Sequence, residues 1–316
     1  MIKKMTLKKL LVTSSTLLAL LLICLIPDNN LDIKREVIYV DKEIKTEDIY
    51  LLNNDNLLTK VNVKIDYNDY DVVNLSKQLI EYLKINGKYT NNIPSNFKPY
   101  LNEETILTAV TFTGDTLKVE FDDNILSPKL EKTIIEGLVY TLTSIKGVNN
   151  IIIYCKGEVL TVLPQSKTVL PSTLTRKIGI NKKYDITDYN NIKAVNIYYI
   201  TNENDDYYYV PVTKYVNDKR EKIDIIVDEL TSSKSYNGNL MSFLDEQTKL
   251  ISYSYVDDKL SLNFNEYILN DINKQNILEE ITTVINLSIK DNYDINEIIY
   301  NVNNKEVYNK KFITNK

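Results

Sequence analysis

The sequence predicts an α+β fold: two tandem copies of a small, mainly antiparallel sheet with helices packed on one face, behind an N-terminal transmembrane anchor. Three observations carry that expectation. The stretch "LKVEFDDNIL" at 117–126 returns as "LSLNFNEYIL" at 260–269, with Phe121 falling on Phe264. The match runs without a gap from Leu107–Leu126 onto Leu250–Leu269. Around both stretches, apolar residues alternate in short runs, as half-buried strands require, and recur at helical spacing in longer ones. A basic flank followed by an apolar run opens the chain.

In that opening, Lys3, Lys4, Lys8 and Lys9 precede an apolar run from Leu10 to Ile26. The run is roughly 17 residues, the lower limit for a spanning helix. The basic flank sets the N-terminus in the cytosol and the rest outside. Three readings stay open on the residues: an uncleaved single-pass anchor, lipid attachment at Cys24, or a cleaved export signal. Ile23 stands where a lipid-attachment site usually has a small residue. All three place the bulk of the chain outside the cytosolic face of the cell membrane. Residues 1–27 are the expected anchor and 28–45 a charged stalk.

The first copy is expected over 46–160. "IYLLNN" and "KVNVKIDY" read as strands, with Val61, Val63 and Ile65 alternating. Val72, Leu75, Leu79 and Leu83 fall on one helical face. "LTAVTF" and "TLKVEF" flank the turn "TGD" and predict a hairpin. Ser127 and Pro128 form a helix start, a cap oxygen followed by a ring that fits the first helical position. Leu130, Ile134, Leu138, Leu142 and Ile145 make the next stripe, and Gly147 suits a left-handed stop. "VNNIIIYCKG" reads as a final strand buried on both faces.

A linker is expected over 161–190, too long for a plain connection and suited to packing across the interface between copies. The second copy, 191–316, repeats the order. "VNIYYITNEN" and "YYYVPVTKYV" are strands, and Ile223, Ile226, Val227 and Leu230 line a short helix. A hairpin turns at Asp257 and Asp258, Ile277, Ile281, Val284 and Ile285 stripe a second helix, and "INEIIYNVNNKEV" closes the copy. Ile151 pairs with Ile298, so this copy carries four extra residues, assigned to "KDNYD" between helix and strand.

Composition excludes several chemistries. The 316 residues include no His and no Trp. Ser–His and Cys–His nucleophile systems are therefore ruled out within the chain. So is a His-ligated zinc, and two cysteines cannot build a Cys-only site. Gly numbers only 7, against a glycine-built phosphate loop, and a net charge of −5 leaves no basic footprint for nucleic acid. Asp122 and Asp123 are adjacent on an extended run and point to opposite faces, a poor carboxylate pair, and the second copy has Asn265 and Glu266 there. "NENDD" at 202–206 lacks the ligand alternation of a calcium loop. No catalytic, cofactor or metal residue is assigned. The candidate interaction surface is Tyr207 and Tyr209, which share a strand face, and Arg176, Lys177, Lys182 and Lys183, a locally basic run suited to an anionic wall polymer or an acidic partner.

The stretches "YYVPVTKYV", "IIVDELTSS", "ILTAVTFTGDTLKVEFDDNIL", "IIEGLVYTLTSIKGVNNIIIYCKGE" and "LPSTLTRKIGIN", in that ordered set, resemble the tandem GerMN domains of GerM-type sporulation and germination proteins. The resemblance covers roughly 46 to 315; the second copy reads "TTVINLSI" where the first has "YTLT". It implies a fold similar to the ring-building modules of secretion systems and an envelope protein of a spore-forming bacterium. It further implies a non-enzymatic, membrane-anchored module that assembles a trans-envelope complex through contacts with envelope proteins or with itself. A peptidoglycan-binding or wall-remodelling protein is the alternative. The family is usually a lipoprotein, a pattern from which Ile23 departs.

Overall fold

The computed structural model describes residues 14, 15, 17, 18, 45–66, 71–126, 129–232, 239–271 and 276–312. The chain divides into Met1–Glu43 and Ile44–Lys316. In the first, Ser14, Ser15, Leu17 and Leu18 are helical. The rest of the expected anchor, Cys24 and nearly all the stalk lie outside the described residues, as do Ser127 and Pro128. Among the described residues no helix is long and apolar enough to cross a membrane.

The first copy runs β1 (Thr46–Leu52), β2 (Leu58–Lys64), α1 (Val72–Tyr82), β3 (Leu107–Thr113), β4 (Thr116–Phe121), α2 (Glu131–Leu142), β5 (Asn150–Cys155) and β6 (Glu158–Val159). The linker contributes β7 (Lys183–Asp185). The second copy runs β8 (Lys193–Glu203), β9 (Asp206–Val216), α3 (Lys222–Thr231), β10 (Leu250–Val256), β11 (Lys259–Phe264), α4 (Glu279–Asn292), β12 (Glu297–Val302) and β13 (Lys305–Lys311). The element order read from sequence is present in both copies, and each adds a closing strand, β6 or β13. Local chemistry explains the punctuation. Asp71 caps α1 by accepting from the Val73 and Asn74 amides. Asp257 and Asp258, at φ 50° and 59°, supply the left-handed pair that a tight hairpin needs.

The sheets are not partitioned as expected. Each copy keeps a four-stranded sheet, β3-β4-β5-β6 or β10-β11-β12-β13, whose central pair is parallel and whose outer pairs are antiparallel. The first hairpin of each copy leaves that sheet. β1-β2 and β8-β9 join, with β7, into one five-stranded sheet shared by both copies. The reason is burial. β1 buries four consecutive residues, Ile49, Tyr50, Leu51 and Leu52, and β9 buries Val210 through Lys214. Strands covered on both faces must be interior.

Two further expectations change. β5 alternates, with Ile151 and Ile153 buried and Ile152 and Tyr154 half-exposed, so helices cover one face of its sheet. The four extra residues of the second copy lie before α4, between Leu269 and Glu279. Thr141 and Ser288 sit at corresponding points late in α2 and α4 and hold corresponding tyrosines, so the offset is already in place within the helix.

Packing in the first copy is tight at Gly137 on α2. A Cβ there would lie 2.1 Å from Tyr100 Oη and 2.5 Å from its Cζ. Gly→Ala ordinarily favours a helix by about 1 kcal/mol, whereas forcing a buried ring aside costs about 1–3 kcal/mol. Gly137→Ala is expected to lose about 1–2 kcal/mol net, read by urea denaturation. A second prediction concerns Glu47 on β1. Burial, and then the Asp48 carboxylate, push its carboxyl up to about 7. A raised carboxyl stabilises the fold while both states are protonated, below about pH 4.5. That contribution is lost as pH rises to about 7. Because Glu47 is only half-buried, we expect about 1 kcal/mol of pH-dependent loss between pH 5 and 8. Glu47→Gln should flatten this part of the denaturation profile.

Candidate functional site: the joint between the copies

The joint is built on a pseudo-twofold arrangement. Tyr50 on β1 and Tyr198 on β8 occupy corresponding positions, and their hydroxyls meet at 3.3 Å. The Tyr50 amide donates to Thr141 Oγ1 on α2 at 3.0 Å, and the Tyr198 amide donates to Ser288 Oγ on α4 at 2.8 Å. Farther along, Leu52 pairs with Lys98 and Ile200 with Met241 through reciprocal main-chain bonds. The outer edges of β1 and β8 are thereby occupied by the same devices, which blunts them as templates for another strand.

Where β2 meets β9, a single residue pair, Lys60 with Tyr209, makes the bridge. Asn181 from the linker supplies the next rung. Its Oδ1 accepts from the Leu58 amide at 3.0 Å, and its Nδ2 donates to the carbonyls of Leu58 and Pro211, each at 2.8 Å. A residue's carbonyl and amide point to the same side of a strand. The N–H that Pro211 lacks therefore falls at this joint, where a side-chain amide replaces ladder bonding, and not in the β8–β9 ladder. The Asn181 amide itself donates to Glu136 Oε2 at 3.0 Å, and Lys182 pairs with the other oxygen at 3.1 Å. Burial pushes the Glu136 carboxyl up, opposed by Lys182.

Arg176 locks the opposite side. Its guanidinium donates to Asp291 Oδ1 at 3.0 Å, Thr143 Oγ1 at 3.0 Å, Ser144 Oγ at 3.1 Å and the Tyr140 carbonyl at 3.3 Å. It lies 5.0 Å from the Tyr140 ring centre and 5.9 Å from that of Tyr50. A cation at the last carbonyls of α2 also complements the helix dipole. Tyr198 donates to the second Asp291 oxygen at 2.8 Å. Burial, and then the Asp291 carboxylate, hold the Tyr198 hydroxyl well above the usual phenol range, so it stays a neutral donor.

The sequence-derived surface residues separate here. Arg176 is not a solvated cation; it is consumed inside the joint. Lys182 is half-buried and paired with Glu136, while Lys177 and Lys183 are exposed. Tyr207 is exposed and meets Phe243 edge-on, with ring centres 5.2 Å apart. Tyr209 is half-buried at the β2 bridge, and Tyr208 packs its ring against Phe97 of the first copy at 4.6 Å. Asp122 is a corner residue that accepts from the Ile106 amide, and Asp123 pairs with Lys156.

Two features were not anticipated from sequence. A cleft of about 830 Å³ opens beside Arg176, with Lys177, Lys193 and Lys222 in its lining. The edge strand β10 leaves Ile251, Tyr253 and Tyr255 at 57%, 39% and 52% exposure. Their counterparts on β3 include Val110 and Phe112, which are half-buried beneath α1. α3 packs instead on β8 and α4. The alternating "LISYSYV" set against "LTAVTFT" carries a signal for the second feature, because the same register places larger side chains at the β10 edge.

Removing Arg176 strands the Asp291 carboxylate, whose side chain is 11% exposed. Arg176→Met is expected to lose about 2–3 kcal/mol. Asp291→Asn in that background should recover part of it. A double-mutant cycle by chemical denaturation is expected to give a coupling of about 1–2 kcal/mol.

Comparison with known proteins agrees with this architecture. The Germane family, described as sporulation and spore germination, matches residues 48–161, the first copy. The spore germination protein GerM of Bacillus subtilis (strain 168) is 27% identical over 244 residues, covering 75% of this chain and 67% of that protein. The solved tandem GerMN domains of the sporulation protein GerM from Bacillus subtilis superpose with a TM-score of 0.74 at 24% identity, over 83% of this chain and 92% of that one. The first copy thus matches the sporulation and spore germination family, and the chain as a whole is similar to GerM in sequence and carries the tandem GerMN fold.

Proposed function

We propose that this chain is a non-enzymatic, membrane-anchored extracytoplasmic module that assembles a trans-envelope complex during sporulation or germination through protein–protein contacts. The observation that supports this reading most directly is the β10 edge. It is an outer strand of its sheet and carries Ile251, Tyr253 and Tyr255 outward of the helix layer. Aromatic side chains beside an unpaired main chain suit an incoming extended segment, which would add backbone bonds and seat its own side chains between the rings. In the shared sheet the outer edges of β1 and β8 are already occupied at Tyr50, Leu52, Tyr198 and Ile200.

The test is a photo-crosslinking amino acid at Tyr253 of the full chain in sporulating cells. An adduct with a defined envelope protein, or with a second copy, is the expected result, and Ile251→Lys with Tyr255→Lys should abolish it. Absence of any protein adduct, with the chain retained on pelleted wall sacculi, would overturn the reading in favour of peptidoglycan binding.

A further inference from the structure

We propose that the cleft between the copies is a binding site for an anion carrying two or more phosphate groups. The cleft measures about 830 Å³, within the range of small-ligand sites. Four basic residues line it, Arg176, Lys177, Lys193 and Lys222, and two carboxylates, Asp115 and Asp291. Asp291 is neutralised in place, whereas Asp115 meets only neutral donors and keeps its charge. Asp291 takes Arg176 and Tyr198. Asp115 accepts from Asn149 Nδ2 at 3.3 Å and Thr116 Oγ1 at 3.2 Å. Arg176 is likewise consumed, which leaves three lysines against one unpaired carboxylate in the lining.

Lys193 lies close enough to Asp218 to add to Arg220 in lowering that carboxyl, so the uncompensated charge rests on the other two lysines. Lys193 Nζ donates to the Arg220 carbonyl, a neutral partner. Among the described residues Lys177 and Lys222 make no ion pair. Their mutual repulsion is visible at Lys222, whose ammonium is pushed below its usual range by burial first, then by Lys193 and Lys177. An arrangement that costs the free protein energy is relieved by an anion that spans it. In a chain with a net charge of −5, such a convergence stands apart from the surface as a whole.

The residue types indicate the ligand. Recognition of a planar carboxylate favours a free arginine fork, which is absent once Arg176 is committed. Lysines act as adaptable point charges and suit phosphate oxygens spread over several centres. Asn149, Asn150 and Thr175 add neutral polar groups to the same wall. The phosphates have two sources: a free oligophosphate, or consecutive units of a phosphodiester polymer.

Isothermal titration of the full chain at low ionic strength tests this, with sodium tripolyphosphate and a poly(glycerol phosphate) chain as the two probes. Wild type is expected to bind tripolyphosphate, with affinity falling as salt rises. Lys177→Gln with Lys222→Gln should weaken it at least about tenfold, about 1.4 kcal/mol, with a melting temperature at or above that of wild type. Lys183→Gln, outside the cleft, should leave binding intact. Binding of both probes identifies a site open to a polymer; binding of tripolyphosphate alone identifies one for a free anion. Equal affinity in wild type and the double variant, or no binding of either probe to wild type, overturns the proposal.

Discussion

A two-stranded hairpin with apolar side chains on both faces cannot bury itself. β1-β2 and β8-β9 are both of this kind, and the structure follows from how each satisfies the other. Their union places Ile49, Leu51, Val210 and Val212 in the interior and lets α2 and α4 close the outer edges. The two hydrophobic cores interlock across the same sheet. Leu57 of the first copy belongs to the core of the second, and Tyr208 of the second packs on the core of the first. Neither copy is complete without the other.

The weakest point of that union is the narrow β2–β9 contact, and the linker is spent on reinforcing it. Asn181 substitutes a side-chain amide for a missing ladder rung beside Pro211. Arg176 ties the end of α2 to α4 through Asp291. A connection rich in Pro and basic residues thus acts as a structural element and not as a tether. Of its charged residues, Arg176 is spent on contacts within the joint, while Lys177 stays exposed on the cleft wall.

The repeat, the element order and the helix stripes were legible because they rest on local periodicity. Phe121 and Phe264 are both buried at equivalent corners, as the doubled stretch implied. Partition of the strands among three sheets was not legible, since alternation says which face is buried and not which strand lies beside it. The burial of Arg176 was hidden for a related reason. Its partners, Tyr140, Thr143 and Asp291, come from two copies and carry no shared spacing. The extra residues before α4 were misplaced because the helix stripe tolerates a shift of about one turn without losing its apolar face. At β10, "LISYSYV" is an ordinary strand by pattern; only the position of α3 shows that its rings lack a cover.

The meeting of Tyr50 with Tyr198 has the geometry of an isologous dimer axis, where a residue contacts its own equivalent. Here the two protomers of such a dimer are covalently joined, so dilution cannot separate them and their ratio is fixed at synthesis. Fusion also breaks the symmetry. The linker joins the end of the first copy to the start of the second, and it contributes Arg176, Lys177 and Asn181 to the joint. Two nearly equivalent domains thereby acquire a front and a back, giving any assembly built from them a direction that an exchangeable homodimer would lack.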